Sequence, residues 1–186
     1  IDKAAPKGRL ILPQQQVVRD ILDSGAIAII TKEDNLVNTL SNLSKKPKMV
    51  ITDSQVFERV NKDTPCDIAL TSFSILFARA KGDLDELISG AHAIDNLKDG
   101  DKILIAEGCT HHRQTDDIGT FKIPNMIKQR TKKDLTFDFS SGISFGHDLN
   151  EYSLVVHCGG CMMNRSAMLS RIQKSKDTGV PIVNYG

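Results

Sequence analysis

Two short segments of the 186-residue chain hold three of its four cysteines and two of its five histidines. The first segment is Cys109-Thr110-His111 and the second is His157-Cys158-Gly159-Gly160-Cys161, and 45 residues (112 to 156) separate them. Thiolates and imidazoles are the ligands from which zinc and iron–sulfur sites are built. This clustering predicts that the function of the chain lies at a metal or cluster site formed by both segments.

A predicted β-strand precedes each of these segments. Lys102–Ala106 is an apolar run just before Cys109, and Tyr152–Val156 is an apolar run just before His157. In an open parallel sheet, ligands gather outside the carboxyl ends of the strands. If the two strands are neighbours, the cysteines that follow them can therefore share one ion or cluster.

Strand-like and helix-like segments alternate from end to end, which predicts an α/β fold with mainly parallel sheets. Three to four β–α units are expected in the first 80 residues or so, and the apolar run Ala26–Thr31 reads as a buried strand. A break near Ala80 predicts two small doubly wound domains, residues 1–78 and residues 79–186.

Glycines surround the candidate ligands. Gly108, Gly159 and Gly160 allow tight turns and close approach of backbone amides to sulfur. Cys161 is predicted to begin the helix Met162–Lys174, whose positive N-terminal end would favour a thiolate.

The residues by themselves leave the metal open between zinc and an iron–sulfur cluster. A single cysteine after a strand is more often buried packing, and a Cys-x-x-Cys pair also occurs as a redox pair. The two segments together are harder to explain in those ways, whereas Cys66 stands apart and is predicted to be an unliganded thiol. Because the ligands lie on the rim of a sheet with its own core, they indicate a working site rather than a structural one.

Composition argues against several other classes of protein. Charged residues make up 25% of the chain and the net charge is +1, so neither nucleic acid nor a membrane is expected as a partner. There is no P-loop, no dinucleotide-binding glycine motif and no Gly-x-Ser-x-Gly elbow. Four cysteines in an α/β pattern without a secretory signal fit the reducing cytoplasm. Since the chain begins with Ile1 rather than Met, we expect it to be a piece of a longer protein.

The order and spacing of the two segments resemble the HydF family, the GTPase-family maturation proteins of [FeFe]-hydrogenase. That signature is Cys-x-His followed, after a gap in the mid-forties to low fifties, by His-Cys-x-x-Cys. The likeness covers essentially the whole chain, because three further segments look like parts of the family: Gly8–Gln14, Thr71–Arg79 and Val180–Gly186.

The resemblance implies a scaffold that binds a [4Fe–4S] cluster through Cys109, Cys158 and Cys161. It implies an open fourth iron position, with His111 and His157 as exchangeable or supporting ligands. This position would hold a transient di-iron precursor that carries CO and cyanide ligands and is made with the partner enzymes HydE and HydG. The precursor would then be passed to the hydrogenase. Residues 1–78 would form a homodimer, and residues 79–186 would hold the cluster. GTP would belong to a GTPase domain that this sequence lacks, so no catalytic residue is assigned.

Two other hypotheses remain beside the scaffold. A zinc-stabilised interaction module would carry one redox-silent ion and would unfold on chelation. A redox or hydro-lyase enzyme would use open iron as a Lewis acid, but the sequence offers it few acid–base groups beyond His111 and His157.

Overall fold

The computed structural model describes residue 1 and residues 10–108, 118–142, 145 and 148–185. This part of the chain forms two compact units, Ile1–Leu76 and Phe77–Tyr185. The described helices are α1 (Leu12–Asp23), α2 (Leu36–Ser41), α3 (Phe57–Asp63), α4 (Phe73–Lys81), α5 (Leu84–Ala93), α6 (Ile123–Thr131) and α7 (Arg165–Asp177). The described strands are β1 (Met49–Thr52), β2 (Ala69–Ser72), β3 (Lys102–Glu107), β4 (Thr136–Ser141), β5 (Leu154–His157) and β6 (Ile182–Asn184). None of the described helices has the length and apolar character needed to cross a membrane.

The first unit contains a two-stranded parallel sheet. β1 pairs with β2, with Met49 beside Ala69. Helix α1 begins where the Ile11 N–H donates to Oε1 of the buried Gln14 at 3.1 Å. The side-chain amide of Gln14 in turn donates to Oδ1 of Asp53 at 3.0 Å. Since buried polar groups need partners, this glutamine joins the start of α1 to the residue that follows β1.

The predicted strand at Ala26–Thr31 is wrong. These residues lie outside any helix or strand, and the side chains of Ile27, Ile29 and Ile30 are 86%, 56% and 51% exposed. No backbone hydrogen bond joins residues 27–30 to another part of the described chain. A strand needs a neighbour with which to form backbone hydrogen bonds, and among the described residues only Ile1 pairs with this region, at Thr31 and Glu33. The described part of this unit therefore has two strands where three to four β–α units were expected.

The second unit is built on a four-stranded, all-parallel sheet in the order β4-β3-β5-β6. Helix α6 packs on one face, where Ile123 and Ile127 join the core around Ile103. Helix α7 packs on the opposite face, where Met168 and Ile172 join the core around Leu104 and Val155. Helices on both faces of a parallel sheet define a doubly wound arrangement. The predicted α/β class with mainly parallel sheets is therefore confirmed.

Helix α5 approaches strand β6 most closely at Gly90. A Cβ atom at this position would overlap the backbone carbonyl of Ile182 and would lie 3.0 Å from the backbone nitrogen of Val183. Backbone atoms of a buried strand cannot move aside as a flexible side chain can. The contact between α5 and β6 therefore requires a residue without a side chain.

We expect Gly90→Ala to lower the free energy of unfolding by about 1–3 kcal/mol, because overpacking against the strand outweighs the gain in helix propensity. Ser89→Ala, one residue earlier on the exposed side of α5, is the matched control and should change stability by less than about 0.5 kcal/mol. Urea unfolding followed by circular dichroism measures both values. Equal stability of the two variants would contradict the close approach.

Candidate functional site

The carboxyl ends of β3 and β5 meet at the switch point of the second sheet. The two strands are neighbours, with Ala106 beside His157, so the pairing on which the shared site depends is confirmed. Helix α6 follows β3 in sequence and covers one face, whereas α7 follows β5 and covers the other. Open parallel sheets bind ligands in the crevice where successive connections diverge in this way.

Two hydrogen bonds join the cysteine-bearing segments across this crevice. The Cys158 N–H donates to the Ala106 carbonyl at 2.9 Å, and the Gly108 N–H lies 3.1 Å from the Cys158 sulfur and donates to it. A Cβ atom on Gly108 would overlap the thioether of Met163. The glycine before Cys109 in the sequence thus brings a backbone donor to the sulfur of the second segment.

The loop that carries the second cysteine pair is tightly turned. Gly160 has φ +61°, a conformation that side chains other than glycine rarely adopt, and the Met163 N–H donates to its carbonyl at 2.9 Å. The ammonium group of Lys81, at the end of α4, donates to the carbonyls of Gly160 (3.3 Å) and Cys161 (3.0 Å). No atom of the described residues lies within 4 Å of a Cβ built on Gly159. Lys81 therefore holds the loop at its carbonyls, and the described residues leave space at Gly159.

Cys158 and Cys161 are of intermediate exposure, but Cys161 does not begin a helix as predicted. Helix α7 starts four residues later, at Arg165, with Asn164 as its N-cap accepting from the Ala167 N–H at 2.8 Å. The capping asparagine ends the turn that contains Cys161, so the helix dipole does not act on this thiol as expected.

His157 is fully buried, and both of its ring nitrogens have partners. Nδ1 lies 2.6 Å from the Cys158 carbonyl, and Nε2 lies 2.7 Å from an Nη atom of Arg171. A guanidinium only donates hydrogen bonds, so Nε2 must accept and Nδ1 must carry the proton. Burial, opposed in part by the Cys158 carbonyl and aided by the charge of Arg171, lowers the pKa of His157 to about 4. The imidazole thus supports the Cys158 backbone as a neutral donor.

Sequence reasoning missed three polar residues around this crevice: Lys81, Glu107 and Arg171. Glu107 ends β3 and is buried, and the hydroxyl of Tyr185 donates to its Oε1 at 3.5 Å. Arg171 could have been found, because it shares the buried stripe of α7 with Met168, Ile172 and Ser175. An arginine on an otherwise apolar stripe of a helix indicates that its side chain has a specific buried partner.

Cys109 and His111 lie outside the described residues, so the structure gives positions for two of the three predicted cysteine ligands. Among the residues that are described, no three histidine, cysteine or carboxylate side chains gather around one point. Cys66 is exposed and belongs to the first unit.

Fold and site together define an α/β protein that presents cysteine thiols at the switch point of a parallel sheet. The profile of the hydrogen maturase F tetramerization domain matches residues 85–186, and that of the hydrogen maturase F dimerization domain matches residues 1–82. The chain therefore belongs to the hydrogen maturase F (HydF) family, and the resemblance seen in its sequence is confirmed. No individual curated protein matches it.

We expect the His157 imidazole to be found as the Nδ1–H tautomer, because Arg171 occupies Nε2. Two-bond ¹H–¹⁵N correlation spectra of the metal-free protein at neutral pH identify the tautomer directly. The exposed His92 serves as the reference, since a solvated imidazole should exchange between its two tautomers. An Nε2–H tautomer at His157 would contradict the hydrogen-bond arrangement.

Proposed function

We propose that this chain is the scaffold part of a cytoplasmic [FeFe]-hydrogenase maturation protein. In this proposal Cys109, Cys158 and Cys161 hold a [4Fe–4S] cluster whose fourth iron position stays open. A di-iron precursor with CO and cyanide ligands, made with the maturases HydE and HydG, would be held there. The protein would then deliver this precursor to the hydrogenase. Membership of the hydrogen maturase F family supports a role in hydrogenase maturation.

The observation that carries the proposal is the hydrogen bond from the Gly108 amide to the Cys158 sulfur at 3.1 Å. Amide donors to sulfur stabilise cysteinate ligands and tune the clusters they hold. The same contact brings the residue before Cys109 to the sulfur that begins the Cys-x-x-Cys pair. The donor set therefore fits a cluster held by cysteines from both segments, which would supply electron-rich iron for binding the precursor.

The same geometry supports an open fourth position. His157 already uses both ring nitrogens, so it supports the ligands rather than adding a bond to iron. Three thiolates leave one iron of a cubane without a cysteine. A position of this kind can bind a bridging ligand of the precursor weakly enough for later release.

We expect reconstituted wild-type protein to contain about four iron and four sulfide per chain and to give an EPR signal after reduction. Cys109→Ser, Cys158→Ser and Cys161→Ser should each lose the cluster and remain folded, since the second unit has an apolar core of its own. Cys66→Ser is the matched control, because that thiol is exposed and lies in the other unit. Metal analysis, EPR and circular dichroism under argon measure these outcomes.

A structural zinc site would give a different result. One firmly bound zinc ion per chain without an EPR signal, and global unfolding of the cysteine variants, would overturn the scaffold and favour a zinc-stabilised interaction module.

In this proposal two copies of the chain form a homodimer, and each copy binds the other at its exposed segment Ala26–Ile30. The domain that contains this segment is matched by a dimerization profile, and three of its isoleucines are more than half exposed. An exposed apolar segment that lies outside the described helices and strands is suited to contact with another chain.

We expect Ile27→Lys and Ile29→Lys to raise the dimer dissociation constant at least tenfold, because each places a charge in the buried interface. Leu22→Lys is the matched control, since Leu22 is 53% exposed in the same unit but lies on α1. Light scattering after gel filtration over a dilution series gives the constants. Unchanged dimers in both isoleucine variants would place the interface elsewhere.

A further inference from the structure

Arg171 is a buried cation whose partners are all neutral. Its side chain is 5% exposed, and one Nη atom donates to His157 Nε2 at 2.7 Å. The other Nη donates to the Gly142 carbonyl, and Nε is buried without a hydrogen-bond partner in the described structure. The guanidinium also lies 4.9 Å from the centre of the Phe145 ring. No carboxylate among the described residues forms an ion pair with it.

Burying an unpaired charge is costly, so a guanidinium of this kind requires an anion close by. Burial lowers the pKa of Arg171, and the charge of the Cys158 thiolate acts in the opposite direction. Cys158 is connected to Arg171 through the ring of His157, which donates to the Cys158 carbonyl. Among the described residues, the cysteine loop is thus the anionic centre to which hydrogen bonds connect this guanidinium, through His157.

We infer that Arg171 is the buried counter-charge of the cysteine centre and, through His157, the positioning residue of the Cys158 loop. This inference rests on the proposed function, because the negative charge that it balances is that of a thiolate-ligated cluster. Because Arg171 fixes the tautomer of His157, the histidine always donates a hydrogen bond to the Cys158 carbonyl. The positive charge of Arg171 also favours the reduced state of the centre, which carries more negative charge.

A second cation on the same helix provides a matched control. The ammonium group of Lys174 lies 5.7 Å from the same Phe145 ring, on its own exposed side chain. Solvent screens a charge in that position. Loss of Lys174 and loss of Arg171 therefore remove the same formal charge from neighbouring turns of one helix, and only one of these charges is buried against the site.

The test compares wild type with Arg171→Met, Arg171→Lys and Lys174→Met, all reconstituted with iron and sulfide under argon. Titration with dithionite, followed by EPR, gives the midpoint potential, and transfer of iron to a chelator gives the rate of cluster loss. Thermal unfolding of the metal-free proteins shows whether each variant folds. Arg171→Lys keeps the charge, which separates electrostatics from packing.

We expect the cluster of Arg171→Met to be harder to reduce than that of wild type. At a fixed potential the ratio of reduced to oxidised protein should be roughly tenfold lower, which corresponds to a midpoint potential lower by about 59 mV for one electron. Arg171→Met should also lose iron several-fold faster. Arg171→Lys should recover most of the potential, and Lys174→Met should match wild type.

Two results would overturn the inference. A wild-type potential in a folded, loaded Arg171→Met protein would show that the buried charge does not act on the centre. A shift of the same size in Lys174→Met would show that any cation on α7 has this effect. Failure of the proposed function is recognised separately, because wild-type protein would then take up no iron and sulfide, and the assignment of Arg171 would fall with it.

Discussion

Ala106 of β3 lies beside His157 of β5 in a parallel ladder, so two segments distant in sequence leave the sheet at the same edge. The hydrogen bond from Gly108 to the Cys158 sulfur depends on this register. Side chains alternate between the two faces along a strand, so a shift by one residue would turn His157 away from α7 and Arg171. The strand pairing therefore fixes both the cysteine positions and the groups behind them.

The electrostatic environment of the cysteine loop depends on buried charges rather than on charges at the protein surface. The chain has a net charge of only +1, and most ion pairs between its described residues are exposed and contribute little. Arg171 is different, because its charge is screened little in the core and its contacts there are with neutral groups. Lys81 adds donors to the carbonyls of the cysteine loop. The surroundings of Cys158 and Cys161 therefore combine one backbone amide donor, an imidazole donor and two cations, which together favour negative charge there.

The sequence predicted those parts of the structure that depend on local pattern. Strands β3 and β5 coincide with the apolar runs recognised before the two cysteine segments, whereas their pairing, which the shared site requires, was a condition that only the structure could test. Ala26–Thr31 has the composition of a strand, but pairing depends on a neighbour that its own residues do not specify. The position of Cys161 depended on Asn164, a capping residue that starts α7 later than the apolar pattern indicated. The role of Arg171 depends on tertiary contacts to His157 and Gly142, which no local pattern encodes.

A site that holds a cargo and later releases it needs a rigid ligand set and an accessible front. The back of the cysteine loop meets the first need, since His157 has both nitrogens engaged and Gly160 is held by a turn. The exposed side of the loop meets the second, because no described atom lies within 4 Å of a Cβ on Gly159 and Met162 is 70% exposed. Flexible methionine side chains adapt to different surfaces. An exposed methionine beside the cysteine pair thus suits the proposed transfer of a bound group from one protein partner to another.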